Sequence, residues 1–454
     1  MTDTPDDTEK NRLTARMGRY ARVGANVSGV AARMAGARLF GGSGAGNAAT
    51  LTAALGRLKG PLVKVAQLMA TVPDLLPADY AAELQKLQSE APAMGWVFVK
   101  RRMASELGPE WMGRFASFEK EAAAAASLGQ VHRAVSHDGE ALACKLQYPD
   151  MKSVVEADLA QLKVLFAIHR QMDGVIDTSE VLIEIGDRVR EELDYIREAG
   201  HARLYSEALA GTPLVRVPKV FDDLSTRRLI TLGWLDGKKL LTYKDADLET
   251  RNRLGEAMFM AWWLPFSRYG VIHGDPHLGN YTVFEQDGQA AGINLLDYGC
   301  IRVFTPRFVG AVVDLYEGLK TDDRERVVHA YETWGFRNLT APMIDALNIW
   351  ARFIYGPILD DRVRTVADGV APGEYGRKEA FRVRAELKRL GGVTIPREFV
   401  FMDRAAIGLG AVFLHLRAER NFYQLFNQVL EGFSVDAVAE RQAGALERAG
   451  LAAN

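Results

Sequence analysis

The stretch that decides the fold is VIHGDPHLGN, residues 271–280. Two apolar residues lead into a polar loop, in which Asp275 follows His273 by two positions and precedes Asn280 by five. A positioned carboxylate can accept a proton from a hydroxyl group, and carboxylate and amide oxygens are ligands that Mg²⁺ prefers. The stretch therefore predicts a loop that combines proton transfer with metal binding.

A second polar element follows, because Leu295 and Leu296 lead into Asp297-Tyr298-Gly299, with Asp297 seventeen residues after Asn280. Protein kinases have the same order, a His-x-Asp-x-x-x-x-Asn loop and then an apolar strand that ends in Asp-Phe-Gly. We therefore interpret Asp275 as the group that orients a nucleophile and accepts its proton. Asn280 and Asp297 are interpreted as Mg²⁺ ligands in a site that binds ATP.

An upstream segment is typical of the part of a kinase that contacts phosphates. The apolar run Ala141-Leu142-Ala143-Cys144 ends at Lys145, like the kinase strand whose lysine pairs with the α- and β-phosphates. Ahead of it, where kinases have a glycine-rich loop, this sequence has Ala124, Ala125, Ala126 and Ser127. Alanine lacks the freedom of glycine at positive φ, so we expect a stiffer loop that covers phosphates differently.

Local patterns predict how Lys145 is presented and held. Residues 131–135 and 141–147, joined by a turn at His137-Asp138-Gly139, indicate a β-hairpin. A kinase lysine is held by a helical carboxylate, and several acids lie in the charged segment 190–199. Periodicity does not distinguish its members, which are Glu191, Glu192, Asp194 and Glu198.

Composition limits the classes of protein to consider. The chain has 454 residues, of which 48% are hydrophobic and 25% charged, as in ordinary globular proteins. A formal net charge of -2 gives no field that would favour nucleic acid. Two cysteines, Cys144 and Cys300, favour a reducing compartment over a disulfide framework. The polar N-terminus and short apolar runs predict a cytoplasmic protein without signal peptide or transmembrane helix.

The order of patterns predicts an α+β, protein-kinase-like fold of two lobes with a helical N-terminal extension. We expect a basic segment over 1–45, a helical extension over 46–114, a small β-containing N-lobe with a helical insertion over 115–235, and a helical C-lobe over 236–454. Residues 11–40 contain six arginines and no acid. Such a segment lies on anionic lipid at a membrane periphery, or packs as a solvated helix on the protein.

Together these segments resemble the UbiB/AarF family of atypical kinases, and most closely its mitochondrial coenzyme Q kinase-like subgroup. The family has a Lys-x-Gly-Gln motif in its N-terminal extension, and here Lys64 and Gln67 stand at the matching positions with Ala66 in place of the glycine. A Pro-Asp-Leu-Leu-Pro segment follows at residues 73–77. The family's alanine loop matches residues 124–127 and continues into Gly129-Gln130-Val131-His132.

The resemblance implies roles for further residues. The family's Glu-x-Asp element matches Glu192 and Asp194, and its lysine-pairing glutamate matches Glu198. The extension with Lys64 and Gln67 is expected to fold over the active cleft, to pair with the Glu-x-Asp carboxylates and to exclude protein substrates. The family supports ubiquinone biosynthesis, so quinone-precursor lipids, a membrane surface and other biosynthesis proteins are expected partners.

Two alternatives stay open at this point. Aminoglycoside-type kinases share the His-Gly-Asp and Asp-aromatic-Gly patterns, which predicts a small-molecule phosphoacceptor instead. They lack the alanine loop and the motif of Lys64 and Gln67. A non-catalytic scaffold that binds nucleotide as a switch would also retain Lys145 and Asp297. ATP hydrolysis, measured with and without anionic liposomes, separates the enzyme from the scaffold.

Overall fold

A computed structural model describes residues 94–126, 128–156, 159–160, 186–187, 189–367, 376–393 and 396–452. The basic segment, Lys64, Gln67 and Ser127 lie outside these residues. The chain divides into two compact units, the first comprising Met1–Ile196 and Phe221–Leu232, the second Arg197–Val220 and Gly233–Asn454. These units divide the chain differently from the domain ranges expected above, which stay predictions.

The first unit is built on an antiparallel sheet. Its elements are helix α1 (Trp96–Leu107) and strands β1 (Ser117–Phe118), β2 (Ala124–Ala125), β3 (Gly129–Val135), β4 (Ala141–Gln147) and β6 (Leu229–Gly233, with Gly233 assigned to the second unit). The strand order is β1-β3-β4-β6, and β2 pairs with β3 as well. The predicted hairpin over residues 131–147 is confirmed, because β3 and β4 pair from Gly129↔Gln147 to Val135↔Ala141.

Burial in β4 alternates, as expected of a strand with one covered face. Leu142, Cys144 and Leu146 are inaccessible to solvent and pack in a cluster with Trp111 and Phe115. Ala143 and Lys145 lie on the other, partly exposed face. The hydrophobic side of the strand therefore fixes the register that presents Lys145 on the polar side.

The second unit is mainly helical. Its helices are α2 (Tyr195–Ala208, which begins in the first unit), α3 (Leu248–Tyr269), α4 (Pro306–Thr321), α5 (Arg324–Trp334), α6 (Ala341–Leu359), α7 (Arg377–Arg389), α8 (Arg397–Leu416), α9 (Phe422–Val429) and α10 (Val435–Ala449). Its strands are β5 (Val215–Arg216), β7 (Lys238–Lys239), β8 (Val271–His273), β9 (Tyr281–Gln286), β10 (Gln289–Leu295) and β11 (Ile301–Val303).

Helix α3 determines where the chain enters the polar loop. It is buried on most of its surface, which is the pattern of a helix at the centre of a core. It ends at Gly270, whose φ of 65° is the left-handed conformation that glycine adopts readily at helix ends. The chain turns there directly into β8, which pairs with β11 so that Ile301 lies opposite His273.

The remaining strands form a sheet of order β5-β10-β9-β7. The hairpin of β9 and β10 connects the end of the polar loop to the Asp297 segment, as expected for residues 271–303. An α+β protein with a small β-rich part and a larger helical part is thus confirmed. Among the helices that the structure describes, none has both the length and the apolar character needed to cross a membrane.

Candidate active site

His273 organises the polar loop of the second unit. It is inaccessible to solvent. Its Nδ1 accepts a hydrogen bond from the Asp275 N–H at 3.2 Å, and its Nε2 lies 2.9 Å from the Asp297 carbonyl. A backbone N–H can only donate and a carbonyl can only accept, so His273 is neutral with its proton on Nε2. One imidazole therefore joins the Asp275 loop to the Asp297 segment.

Asn280 fixes the Asp275 carboxylate. Its Nδ2 donates to the Asp275 carbonyl at 2.9 Å and to Asp275 Oδ2 at 3.2 Å. The Asn280 carbonyl in turn accepts from the Leu296 N–H at 2.9 Å. The residue predicted to bind metal therefore also holds the predicted base and the strand end before Asp297.

Close packing leaves no room for side chains at two positions beside the loop. A Cβ on Gly274 would lie 2.9 Å from the Cys300 carbonyl oxygen, to which the Gly274 N–H donates. A Cβ on Gly408 of α8 would lie 2.4 Å from Cγ of Pro276. Helix α8 thus presses its backbone against the loop at the residue after Asp275.

The Asp297-Tyr298-Gly299 turn lies close to Glu198 of α2. The Gly299 N–H donates to Asp297 Oδ1 at 2.9 Å. Burial raises the pKa of the Tyr298 phenol well above its usual value, and the charges of Asp297 and Glu198 add to the rise. Both carboxylates are therefore near the Tyr298 ring.

His201 anchors the same turn, and nothing in the sequence patterns identified it. Its Nδ1 lies 3.0 Å from the Tyr298 carbonyl, so this nitrogen carries the proton and donates. His201 follows Glu198 by three residues on α2 and is buried. Helical i, i+3 spacing from a site residue is the signal that could have singled it out.

Lys145 in the first unit lies on the polar face of β4. Its Nζ is 5.2 Å from the centroid of the Tyr195 ring, within the range of a cation–π contact. Tyr195 is buried and is the first residue of α2. Since Lys145 and Glu198 belong to different units, their pairing stays a prediction.

The alanine segment is not a helix, because it contains the short strand β2, which pairs with β3. The Ala126 N–H donates to the Gly129 carbonyl at 2.8 Å, and the Gly129 N–H lies 3.4 Å from the Ala126 carbonyl. Ala124 and Ala125 are exposed and pair with Val131 and Gln130. Gly129 is required here, because a Cβ would lie 2.1 Å from the Leu146 carbonyl oxygen.

Gln130 and His132 of β3 form a buried hydrogen-bond network that the sequence patterns did not predict. The Gln130 amide bonds both backbone groups of Met94, accepting from the N–H at 2.5 Å and donating to the carbonyl at 3.2 Å. Gln130 Nε2 also donates to His132 Nε2 at 2.8 Å, while His132 Nδ1 lies 2.9 Å from the Glu119 carbonyl. Burial lowers the pKa of His132, consistent with a neutral ring.

The two carboxylates of the Glu-x-Asp element have different surroundings. Glu192 is 9% exposed. Asp194 Oδ1 accepts from the Ile196 N–H at 3.2 Å, as an N-cap of α2 does, and Oδ2 bonds Arg227 at 3.1 Å. Asp194 therefore has a structural role beside its predicted contact with Lys64.

The donor set of the polar loop fits Mg²⁺. Asp297 and Asn280 offer carboxylate and amide oxygens, and Mg²⁺ is often held by one or two carboxylates together with substrate phosphates. Within the described part of the chain, no cluster of three His, Cys, Asp or Glu side chains forms a metal site. Asn280 and Asp297 are the residues that would hold Mg²⁺ here.

One family model and several curated relatives match this chain. The family description "ABC1 atypical kinase-like domain" matches residues 86–331, more than half of the chain. The chain is 32% identical over 273 residues to "Protein ACTIVITY OF BC1 COMPLEX KINASE 7, chloroplastic" of Arabidopsis thaliana, covering 59% of this chain and 38% of the relative. It is 28% identical over 260 residues to "Atypical kinase COQ8, mitochondrial" of Saccharomyces cerevisiae, covering 57% and 51%.

A solved structure extends the match beyond the shared domain. The Rv3197–erythromycin complex from Mycobacterium tuberculosis is 25% identical, with a TM-score of 0.56, and the match covers 88% of this chain and 98% of that one. The chain spans about half or less of the length of the curated relatives named above.

Proposed function

This chain belongs to the ABC1 atypical kinase-like family, and from that premise we propose that it binds ATP with Mg²⁺ and cleaves the terminal phosphate, by transfer or by hydrolysis. The observation that carries the proposal is the His273 imidazole, which holds the Asp275 loop and the Asp297 segment together through both ring nitrogens. It makes one polar surface of the proposed base and the proposed metal ligands.

Each residue has a defined task in this proposal. Asn280 and Asp297 would hold Mg²⁺, which when bound neutralises charge on the phosphates. Asp275, oriented by the Asn280 amide, accepts the proton of the attacking hydroxyl group or water. Lys145 adds positive charge for the nucleotide phosphates, and the Ala124–Ala126 segment covers them with little freedom to change its φ angles.

The test is a thermal-shift titration with Mg-ATP on Asp297→Asn. A neutral amide does not offset phosphate charge, so we expect the Mg-dependent shift to be mostly lost. Asp287→Asn is the matched control, since Asp287 is an exposed hairpin residue with a φ of 53° that asparagine tolerates. An unchanged shift in Asp297→Asn would contradict the proposed metal site.

The cellular role that we propose is support of ubiquinone biosynthesis. The support is the resemblance to the coenzyme Q kinase-like subgroup and the relative named "Atypical kinase COQ8". Cells that lack the gene should lose ubiquinone and accumulate precursors, and wild-type protein should restore the profile where Asp297→Asn does not. Normal quinone levels in the deletion strain would place the protein in another pathway.

A small-molecule phosphoacceptor is the second candidate, favoured by the structural neighbour bound to erythromycin. ATP consumption with erythromycin present, followed by mass spectrometry of the macrolide, tests it. A product heavier by one phosphoryl group supports this candidate. An unmodified macrolide together with steady ATP hydrolysis favours the first.

We also propose that the extension with Lys64 and Gln67 restricts substrate access. Lys64→Ala should then keep or gain ATP affinity and gain autophosphorylation, with Lys59→Ala as the control. Charge-assisted hydrogen bonds of about 1.5–3 kcal/mol each to the Glu192 and Asp194 carboxylates would be lost. Loss of nucleotide binding in a folded Lys64→Ala protein would contradict this role.

A peripheral membrane contact is the last part of the proposal. If the basic N-terminal segment binds anionic lipid, replacing Arg16, Arg19 and Arg22 with glutamine should weaken liposome sedimentation about a hundredfold, since each basic residue contributes about 1 kcal/mol. Neutral liposomes are the control. Equal sedimentation of variant and wild type on anionic liposomes would refute the contact.

A further inference from the structure

An aromatic cavity of about 90 Å³ lies in the second unit, among α3, α4, α5, α6, α8 and α9. Phe259, Trp263, Trp334, Trp350 and Phe422 contribute to its lining. Since one water occupies about 30 Å³ of liquid, the cavity has room for a small organic group. Apolar cavities take up apolar molecules of matching size.

One carboxylate, that of Asp403 on α8, lines this cavity. The Trp350 Nε1–H donates to Asp403 Oδ1 at 2.5 Å, and it is the one donor to this carboxylate among the described residues. A carboxylate can accept about four hydrogen bonds, so a single donor leaves most of its capacity unused. Removing a charge from water with so little compensation is costly even for this part-buried side chain.

The other polar groups of the lining are directed elsewhere. The Tyr331 hydroxyl donates to Asn348 Oδ1 at 2.9 Å, and the Tyr355 hydroxyl donates to the Val312 carbonyl at 3.3 Å. The Trp334 indole donates to the Phe308 carbonyl at 3.3 Å. None of these three donors serves Asp403.

The titratable side chains of the lining are all acids, with no basic residue among the described ones. Tyr331 on α5, Tyr355 on α6 and Asp403 on α8 are its titratable residues, and among the described residues no Lys, Arg or His lines the cavity. Burial raises the pKa of Asp403 to about 7. The carboxyl is thus ionised in part at neutral pH and lacks a cation, which a bound ammonium group would supply.

We propose that this cavity binds a small lipophilic amine, whose ammonium group pairs with Asp403 and whose hydrocarbon body fills the space among the aromatic rings. The rings favour this occupant twice, because apolar surface is buried against them and their faces attract cations. The site is distinct from the proposed phosphoryl-transfer residues, and this proposal does not rest on the proposed function.

The experiment compares benzylamine with toluene, which has the same benzyl carbon skeleton without the amino group, by calorimetric titration of the full chain at pH 8. We expect benzylamine to bind, and Asp403→Asn to weaken it at least tenfold while toluene binding stays within twofold. Asp345→Asn is the matched control, because Asp345 lies on the exposed side of α6 and pairs with Arg324.

Two further measurements keep the proposal falsifiable if Asp403→Asn folds poorly. Ala351→Leu, which adds volume to the lining, should weaken both probes. Wild-type affinity for benzylamine should fall at least fivefold from pH 8 to pH 6, as Asp403 becomes protonated. Absent binding of benzylamine, equal affinity in Asp403→Asn, or a flat pH profile would each overturn the proposal.

Discussion

The strand that carries Lys145 and the loop that carries Asp275 are positioned by different means. Backbone pairing determines the position of Lys145, because β3 and β4 are in register over seven residue pairs and this pairing does not involve the lysine side chain. In the loop, the Asn280 amide and the His273 ring themselves make the hydrogen bonds that hold the backbone. In the first unit, the side chain proposed to act, Lys145, is thus distinct from the backbone pairing that holds it. In the second unit, side chains of the proposed site also hold the loop in place.

The largest effect on stability should come from a loop residue of the second unit whose side chain holds the backbone. His273→Ala removes a buried ring and leaves the Asp275 N–H and the Asp297 carbonyl without this partner. At about 1–3 kcal/mol for each unsatisfied group, the free energy of unfolding in urea should fall by about 3–4 kcal/mol. His277→Ala is the control, because it removes a single hydrogen bond from the Gly279 N–H at the exposed end of the loop and should cost about 1 kcal/mol or less.

Equal losses in His273→Ala and His277→Ala would contradict this prediction, because the loop would then not depend on its buried histidine.

The next effect tests whether backbone geometry dominates in the first unit. Gly129→Ala places a methyl group against the Leu146 carbonyl oxygen, which should lower the free energy of unfolding by about 2–3 kcal/mol. Gly113→Ala is the control, since no atom lies within 4 Å of its Cβ position. A Gly129→Ala protein as stable as Gly113→Ala would show that the pairing of β3 tolerates displacement.

A pH titration should give a smaller effect at His132, a titratable side chain of the β3–β4 hairpin that also holds the structure through its hydrogen bonds. Burial lowers its pKa below the ordinary value near 6.5, so the unfolded chain binds the proton more readily. Its contribution to stability is therefore complete above pH 6.5 and is lost as the pH falls through the folded-state pKa. His132→Gln should flatten this part of the stability profile, and an unchanged slope would assign it to other groups.

The smallest effect on stability should come from Lys145→Met, because this lysine acts from a strand that others hold. We expect a change in the free energy of unfolding within about 0.5 kcal/mol. Mg-ATP affinity should nevertheless fall about tenfold, which removes about 1.4 kcal/mol of ligand-induced stabilisation in thermal-shift assays. Lys152→Met is the exposed control, and a loss of several kcal/mol in Lys145→Met would contradict the separation of roles.

The sequence predicted what depends on local pattern. The β3–β4 hairpin followed from alternating residues and a glycine turn, and the loop of His273, Asp275 and Asn280 followed from spacing. Contacts between distant residues were beyond it, because hydrophobic periodicity does not say which ring meets which group. The Tyr195 ring beside Lys145 is of this kind.

Two misses have more specific reasons. An aspartate before a helical run is a known signal for a helix start, which fits the cap that Asp194 forms. The family's Glu-x-Asp match predicts a role in the cleft and says nothing of a cap. The sequence does not predict a role for Asp403, because an acidic residue in an apolar helix is normally interpreted as exposed to solvent. Its place in the cavity lining depends on how the neighbouring helices pack.

The close approach of Gly408 to Pro276 has a consequence for communication within the second unit. Helix α8 carries Asp403 at the aromatic cavity and, five residues on, the bare backbone against the residue after Asp275. Because no side chain of Gly408 separates α8 from Pro276, a ligand that moves α8 would also move the loop. Any such coupling is reciprocal, so nucleotide at the loop would change amine affinity at the cavity by the same factor that the amine changes nucleotide affinity.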